Sequence, residues 1–256
     1  MVPGPRREDV EPWVNAARNE RDPYEKAWFL MEATYGLRPE NQQAHLRRRN
    51  LQFNPATGKP IRIVANGTEE NFKKDSNVIA AFPQEVADAV EAWLRIHPNA
   101  SPEAWLFPWR DSERKVHPNL QATYRTIRAM RRRFHKRWNL RYLESKMMRK
   151  FVKGVLIDSR MPEPLKSYWQ GHLPNRTNMD AVYGVKSWEE SFTAQLSYVP
   201  AGPLGVFGTI QKTGDIPAEL ATLWKKFHDK EIDAADFANE LKALDRRQVT
   251  VTFVGP

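Results

Sequence analysis

Three short apolar runs constrain this chain most: NLQFN at 50–54, IRIVA at 61–65 and NVIAAF at 77–82, separated by the turn-rich NPATGK and ANGTEEN. Runs of that length, bounded by Gly, Pro and Asn, read as strands. Joined by short connections, they predict a small three-stranded antiparallel sheet. The sequence around them has helical spacing instead. DPYEKAWFLMEATYGL (22–37) carries a capping Asp22, Pro23 in the first turn and a terminating Gly36, and predicts a helix. RPENQQAHLRR is expected to continue as a second helix. Pro83 opens QEVADAVEAWLRIH, an amphipathic helix ended by Pro98. After a Pro-rich loop, residues 119–138 read as one long basic helix and LRYLESKMMRKFVKGVLI as another. EPLKSYWQG and NMDAVYGV read as two short helices split by a GHLPN turn. The expected class is α+β, mostly helical.

Composition shifts near residue 200, where VPAGPLG precedes two short helical patterns, AELATLWKKF and ADFANELKAL, and a terminal alternating strand, VTVTFV. This tail is too small for a core of its own. The expected organisation is an N-terminal extension over 1–21, a main domain over 22–199, and a tail over 200–256 that packs on the body or on another chain.

The chain has no cysteine, and its six histidines show neither HExxH nor paired spacing, so no metal or other cofactor is expected. No run of eighteen apolar residues exists to span a membrane, and MVPGPRREDVEP lacks the apolar centre of a secretory signal. A cytoplasmic protein is the expectation. Charge says more. The net charge is +9, and between Arg110 and Lys153 fifteen Lys/Arg face three acids (Asp111, Glu113, Glu144). From Asp215 to Arg246 the balance reverses, with eight acids to five bases. A basic middle of this kind fits a polyanion, most simply double-stranded DNA, with Arg125, Arg128, Arg132 and Lys136 as the expected contacts.

Several polar residues sit where amphipathic patterning does not require them. Arg38 follows Gly36-Leu37 at a helix junction. Lys73 and Lys74 fall in the hairpin between the second and third strands. Lys146 and Arg149 are three apart, hence on one helical face. His172 lies in a Gly-His-Leu-Pro turn, and Tyr183 on a short helix after it. Arginines, lysines, a histidine and a tyrosine, with no carboxylate pair, suit phosphoryl transfer. Guanidinium groups stabilise charge on non-bridging oxygens without a metal. A tyrosine hydroxyl can attack phosphorus, a lysine can protonate the leaving oxygen, and a histidine can hold a phosphate oxygen.

In order and context these residues resemble the tyrosine recombinases of the phage-integrase type. GLRPENQQAHLRRRNLQF resembles that family's first arginine box, and KKDSNVIAAFPQEVADAVEAWL its hairpin lysine with the following strand, Pro and helix. KMMRKF stands in place of the second box, WQGH resembles the Leu-Gly-His turn, and MDAVYG the nucleophile segment. The resemblance spans roughly 22–190 and implies a tyrosine-recombinase-like catalytic domain. It implies cleavage and rejoining of DNA through a 3′-phosphotyrosine on Tyr183, without metal or ATP. Arg38 and Arg149 would clamp the phosphate, Lys73 or Lys74 would be the general acid, and His172 would support the transition state. Lys146 would stand where most members have His. A homo-tetramer on paired DNA sites is implied too, with the tail reaching a neighbouring subunit.

The chain departs from the family pattern in four places. The second box is Lys-x-x-Arg, as in some archaeal and viral integrases and in type IB topoisomerases. His172 and Tyr183 are eleven positions apart, a longer spacing than usual, and Glu40 comes one residue early. Only about twenty residues precede the first expected helix, with no counterpart of the family's DNA-clamping N-terminal domain. A type IB topoisomerase-like strand transferase and a non-catalytic DNA-binding relative are the rival readings.

Overall fold

The computed structural model describes residues 5–72, 77–158, 161 and 163–171. Lys73, Lys74, His172, Tyr183 and the tail lie outside the described residues. The chain separates into two units, Met1–Gly208 and Thr209–Pro256, and all the described residues belong to the first. Six helices are described: α1 (Arg7–Asn19), α2 (Pro23–Tyr35), α3 (Gln84–Arg95), α4 (Tyr124–Arg137), α5 (Ser145–Asp158) and α6 (Glu163–Trp169). Five strands accompany them: β1 (Leu51–Phe53), β2 (Pro60–Ala65), β3 (Val78–Ala81), β4 (Pro108–Arg110) and β5 (Val116–Gln121). The class is α+β and mostly helical, as the sequence predicts. No helix among the described residues is long and apolar enough to cross a membrane.

Helix α2 is the centre of the unit. Asp22 caps it by accepting from the Tyr24 and Glu25 N–H groups, Pro23 opens it, and Gly36 closes it in the left-handed conformation at φ 58°. All but two of its residues are buried, Trp28, Phe29, Leu30 and Met31 completely. A helix buried on every side must be surrounded, and α1, α3 and α5 pack on it. Trp13 of α1 meets Phe29 and Phe134 edge-on, each at 5.4 Å between ring centres. Helix α1 contributes to the core, with Val10, Trp13, Val14, Ala16 and Ala17 as its buried stripe.

Two acids of α2, Glu25 and Glu32, and Glu20 just before it, are also buried. Helix α4 supplies their partners. Arg131 bonds Glu32, and Arg137 bonds both Glu20 and Glu25. The basic helix thus turns part of its charge inward, where pairing offsets the cost of burying acids.

The predicted sheet is present, antiparallel and ordered β1-β2-β3. Its register pairs Leu51 with Ile63, Ile63 with Ala80 and Ala65 with Val78. Strand β3 is buried on both faces: Val78 and Ala80 join the main core, while Ile79 and Ala81 meet Tyr168 of α6. Two expectations fail. RPENQQAHLRR forms turns and two short 3-10 segments, Gln43–His45 and Arg48–Asn50. One helical turn begins there, with Gln42 N–H bonding the Arg38 carbonyl at 2.9 Å, but Gln42 at φ −137° leaves the helical region. The long basic helix also begins later than expected. Residues 116–121 pair with 108–110 as a second, two-stranded sheet, and Thr123 caps α4.

Two histidines fasten connections as neutral rings. His135 Nδ1–H donates to the Arg131 carbonyl at 2.7 Å while Nε2 accepts from Leu143 N–H at 3.0 Å. His97 Nε2–H donates to the Trp105 carbonyl at 3.0 Å while Nδ1 accepts from Asn99 N–H at 3.2 Å. Burial lowers both pKa values from the ordinary 6.5, helped by the positive charges of Arg131 and Arg48 respectively. The unfolded chain therefore takes up these protons first, and their stabilising contribution is complete only above about pH 6.5. Urea melts should show stability declining as pH falls from 7.5 to 5.5, and His135→Gln should flatten that decline. Equal slopes for the two chains would rule out the assignment.

Candidate functional site

The site grows from the end of α2. Gly36 takes positive φ, which ends the helix and turns the chain, burying Leu37 and leaving Arg38 half-buried. Gly36 is needed for a second reason. A Cβ there would lie 3.1 Å from the Arg149 Cα and 3.2 Å from the Val152 Cβ, so α2 and α5 touch through backbone at this point. Met148, Val152 and Leu156 are the buried stripe of α5, and the same packing sets Arg149 beside the Gly36 turn.

Arg149 is held by carbonyls. Its Nη1 donates to Gly36 O, and its Nη2 to Gln170 O at 3.0 Å. Nη1 also points at Gln42 Oε1, at 3.5 Å. Burial pulls its pKa down to about 10, and the charge of Arg38 lowers it further. The two guanidinium groups are thus close enough to repel. Among the described residues the Arg38 side chain makes no hydrogen bond or ion pair. Like charges gathered at a half-buried point, with Arg149 held by neutral carbonyls, favour an anion between or beside them.

Gln42 and the end of α6 complete the arrangement. Gln42 Oε1 accepts from Arg38 N–H at 2.8 Å, and its Nε2 donates to Gly171 O at 2.6 Å. Lys146, one turn before Arg149, is exposed and makes no hydrogen bond or ion pair among the described residues. The structure therefore brings Arg38 and Arg149 together and places Lys146 on the same helix. It does not describe Lys73, Lys74, His172 or Tyr183, although Gly171 is the residue immediately before His172.

Sequence reasoning missed Gln42, and it missed the carbonyl contacts made by Gln170 and Gly171 of the WQGH stretch. A glutamine four residues after Arg38 carries no signal on its own, and the bond from Gln42 to Gly171 crosses 129 positions.

The basic stripe expected on α4 is present. Arg125, Arg128, Arg132 and Lys136 are all exposed, and none has a hydrogen bond or ion pair among the described residues. Their spacing of three and four places them along one side of the helix. Tyr124, 59% exposed, stands at its start.

No protein-family model and no curated protein matches the chain. Among solved structures it is similar to one titled "Crystal structure of XerA recombinase", at 16% identity and a TM-score of 0.48. That similarity covers 72% of this chain and 63% of the other, less than two thirds of its length.

Proposed function

We propose that this chain cleaves and rejoins DNA strands by phosphoryl transfer to a tyrosine, as the tyrosine recombinases do. The observation that carries this reading is the pairing of Arg38 and Arg149 at the Gly36 turn, with no anion among the described residues to satisfy Arg38. Two guanidinium groups set beside each other on rigid elements match a phosphodiester whose non-bridging oxygens gain charge in the transition state. Lys146 lies one turn away, suited to a phosphate contact or proton transfer. The exposed stripe Arg125, Arg128, Arg132 and Lys136 would meet the phosphate backbone of the duplex, a contact that releases counterions. Tyr183 would be the nucleophile, His172 would support the transition state, and Lys73 or Lys74 would protonate the leaving 5′ oxygen. The assembly on DNA would be a homo-tetramer.

Three of the five described tyrosines make poor rivals for Tyr183, while Tyr124 and Tyr142 are exposed. Tyr24, Tyr35 and Tyr168 are buried, and burial raises the pKa of each hydroxyl. Incubation with a nicked suicide duplex should give a covalent adduct that resists EDTA, and Tyr183→Phe should abolish it. Peptide mapping should place the DNA on Tyr183. An adduct on Tyr124, Tyr142 or Tyr198, or none on any duplex tested, would sink the reading.

A further inference from the structure

We propose that Gln42 is the positioning residue of the two-arginine clamp and the tie between that clamp and the segment leading into His172. The inference rests on the phosphoryl-transfer reading above. Gln42 is fully buried, and both ends of its amide are used. Its oxygen faces two donors, Arg38 N–H at 2.8 Å and Arg149 Nη1 at 3.5 Å. Its nitrogen donates to the Gly171 carbonyl at 2.6 Å. Exchanging the amide oxygen and nitrogen would set donor against donor and acceptor against acceptor, so only one orientation is allowed. One side chain therefore fixes three segments distant in sequence: the turn carrying Arg38, the helix carrying Arg149, and the residue before His172.

The shape of Gly171 supports this role. It has φ +63°, and a Cβ there would lie 2.4 Å from Gln42 Nε2 and 2.8 Å from Val78 Cγ2. The backbone can reach the amide only because no side chain stands between them. The neutrality of Gln42 matters as well. It holds the backbone of the turn carrying Arg38 and faces the Arg149 guanidinium without cancelling either charge, whereas a carboxylate at 42 would act as an internal anion and fill the clamp itself.

The test separates anchoring of the anion site from simple packing. Inorganic phosphate is titrated into the full chain at constant ionic strength, and its apparent Kd is read from the melting temperature. Wild type should be stabilised progressively. Gln42→Met keeps the volume without the amide and should bind phosphate about tenfold more weakly, the loss of about one well-placed hydrogen-bonding group. Gln42→Glu should lose the response to phosphate. Affinity within twofold of wild type in either variant overturns the inference, however much the melting temperature itself drops. Should Gln42→Met not fold, Gln42→Glu, which keeps the size and the acceptor, carries the comparison. A wild-type chain indifferent to phosphate overturns the clamp and the role of Gln42 together. Phosphate binding that depends on Gln42 in a chain that forms no DNA adduct upholds the inference and sinks only the strand-transfer reading.

Discussion

Replacing Arg149 with alanine is expected to slow adduct formation on nicked DNA by about a thousandfold, the upper range for one preorganised donor to a developing oxyanion. The reason lies in how the side chain is held. Its donors are fixed by Gly36 O and Gln170 O, so no reorganisation is needed when phosphate charge develops. A pKa near 10 still leaves it charged at neutral pH. Stability should fall as well, because two carbonyls lose their donor. Arg149→Lys separates the two effects. A point charge on a flexible stem cannot reach both carbonyls and the phosphate, so charge is kept while the fork geometry is lost. Single-turnover cleavage and urea melts on the same preparations should show a large rate loss in both variants. If Arg149→Lys cleaves as fast as wild type, the clamp reading fails.

The second large effect concerns folding. Glu32→Gln should destabilise the protein by about 3–5 kcal/mol, because it leaves the Arg131 charge buried without its counter-charge. Both side chains are almost completely enclosed, and Arg131 lies between Glu32, the Leu143 carbonyl at 2.8 Å and the ring of Trp13 at 5.8 Å. Removing both charges is a different experiment. Glu32→Leu with Arg131→Met should recover most of the loss, since the apolar pair needs no desolvation of ions. Denaturant melts of the single and double variants measure the coupling directly. A double variant as unstable as the single one would show that shape, not charge, sets the requirement.

The sequence exposed those parts of the fold whose signals are local. Helix α2 was legible at both ends because Asp22, Pro23 and Gly36 act within a few residues of themselves. The sheet was legible because its runs are short and its turns rich in Gly, Pro and Asn. Helix α1 was overlooked, with Pro12 inside it and charges scattered through it. The expected helix after Arg38 failed because the Gln42 side chain bonds the Arg38 backbone and Gly171, a long-range contact that no local pattern encodes. Strand β5 was hidden inside a segment read as the start of a basic helix.

Charge shows the same limit. The fifteen bases between Arg110 and Lys153 look alike in sequence, yet Arg110, Arg131, Arg137 and Arg141 are engaged with Asp22, Glu32, Glu20 and Glu25, and Asp9. The basic excess of that segment is partly a structural counterweight to acids on α1 and α2. Of the other bases on α4, Arg125, Arg128, Arg132 and Lys136 form the outward stripe, while Arg133 is half-buried. Of the site itself, Arg38 and Arg149 were legible and are brought together. Their fastening by Gln42 and two carbonyls was not.

The acids held by α4 also act as a ruler. On α4, Glu32 is met by Arg131 while Glu20 and Glu25 share Arg137, so sliding α4 by one turn would strand charges inside the core. Mispairing is therefore penalised far more heavily than it would be between two greasy surfaces, which tolerate small slips. Rotation about the helix axis is fixed by the same three grips. The direction in which Arg125, Arg128, Arg132 and Lys136 face is thus decided away from the stripe itself, by the three buried acids that α4 must meet.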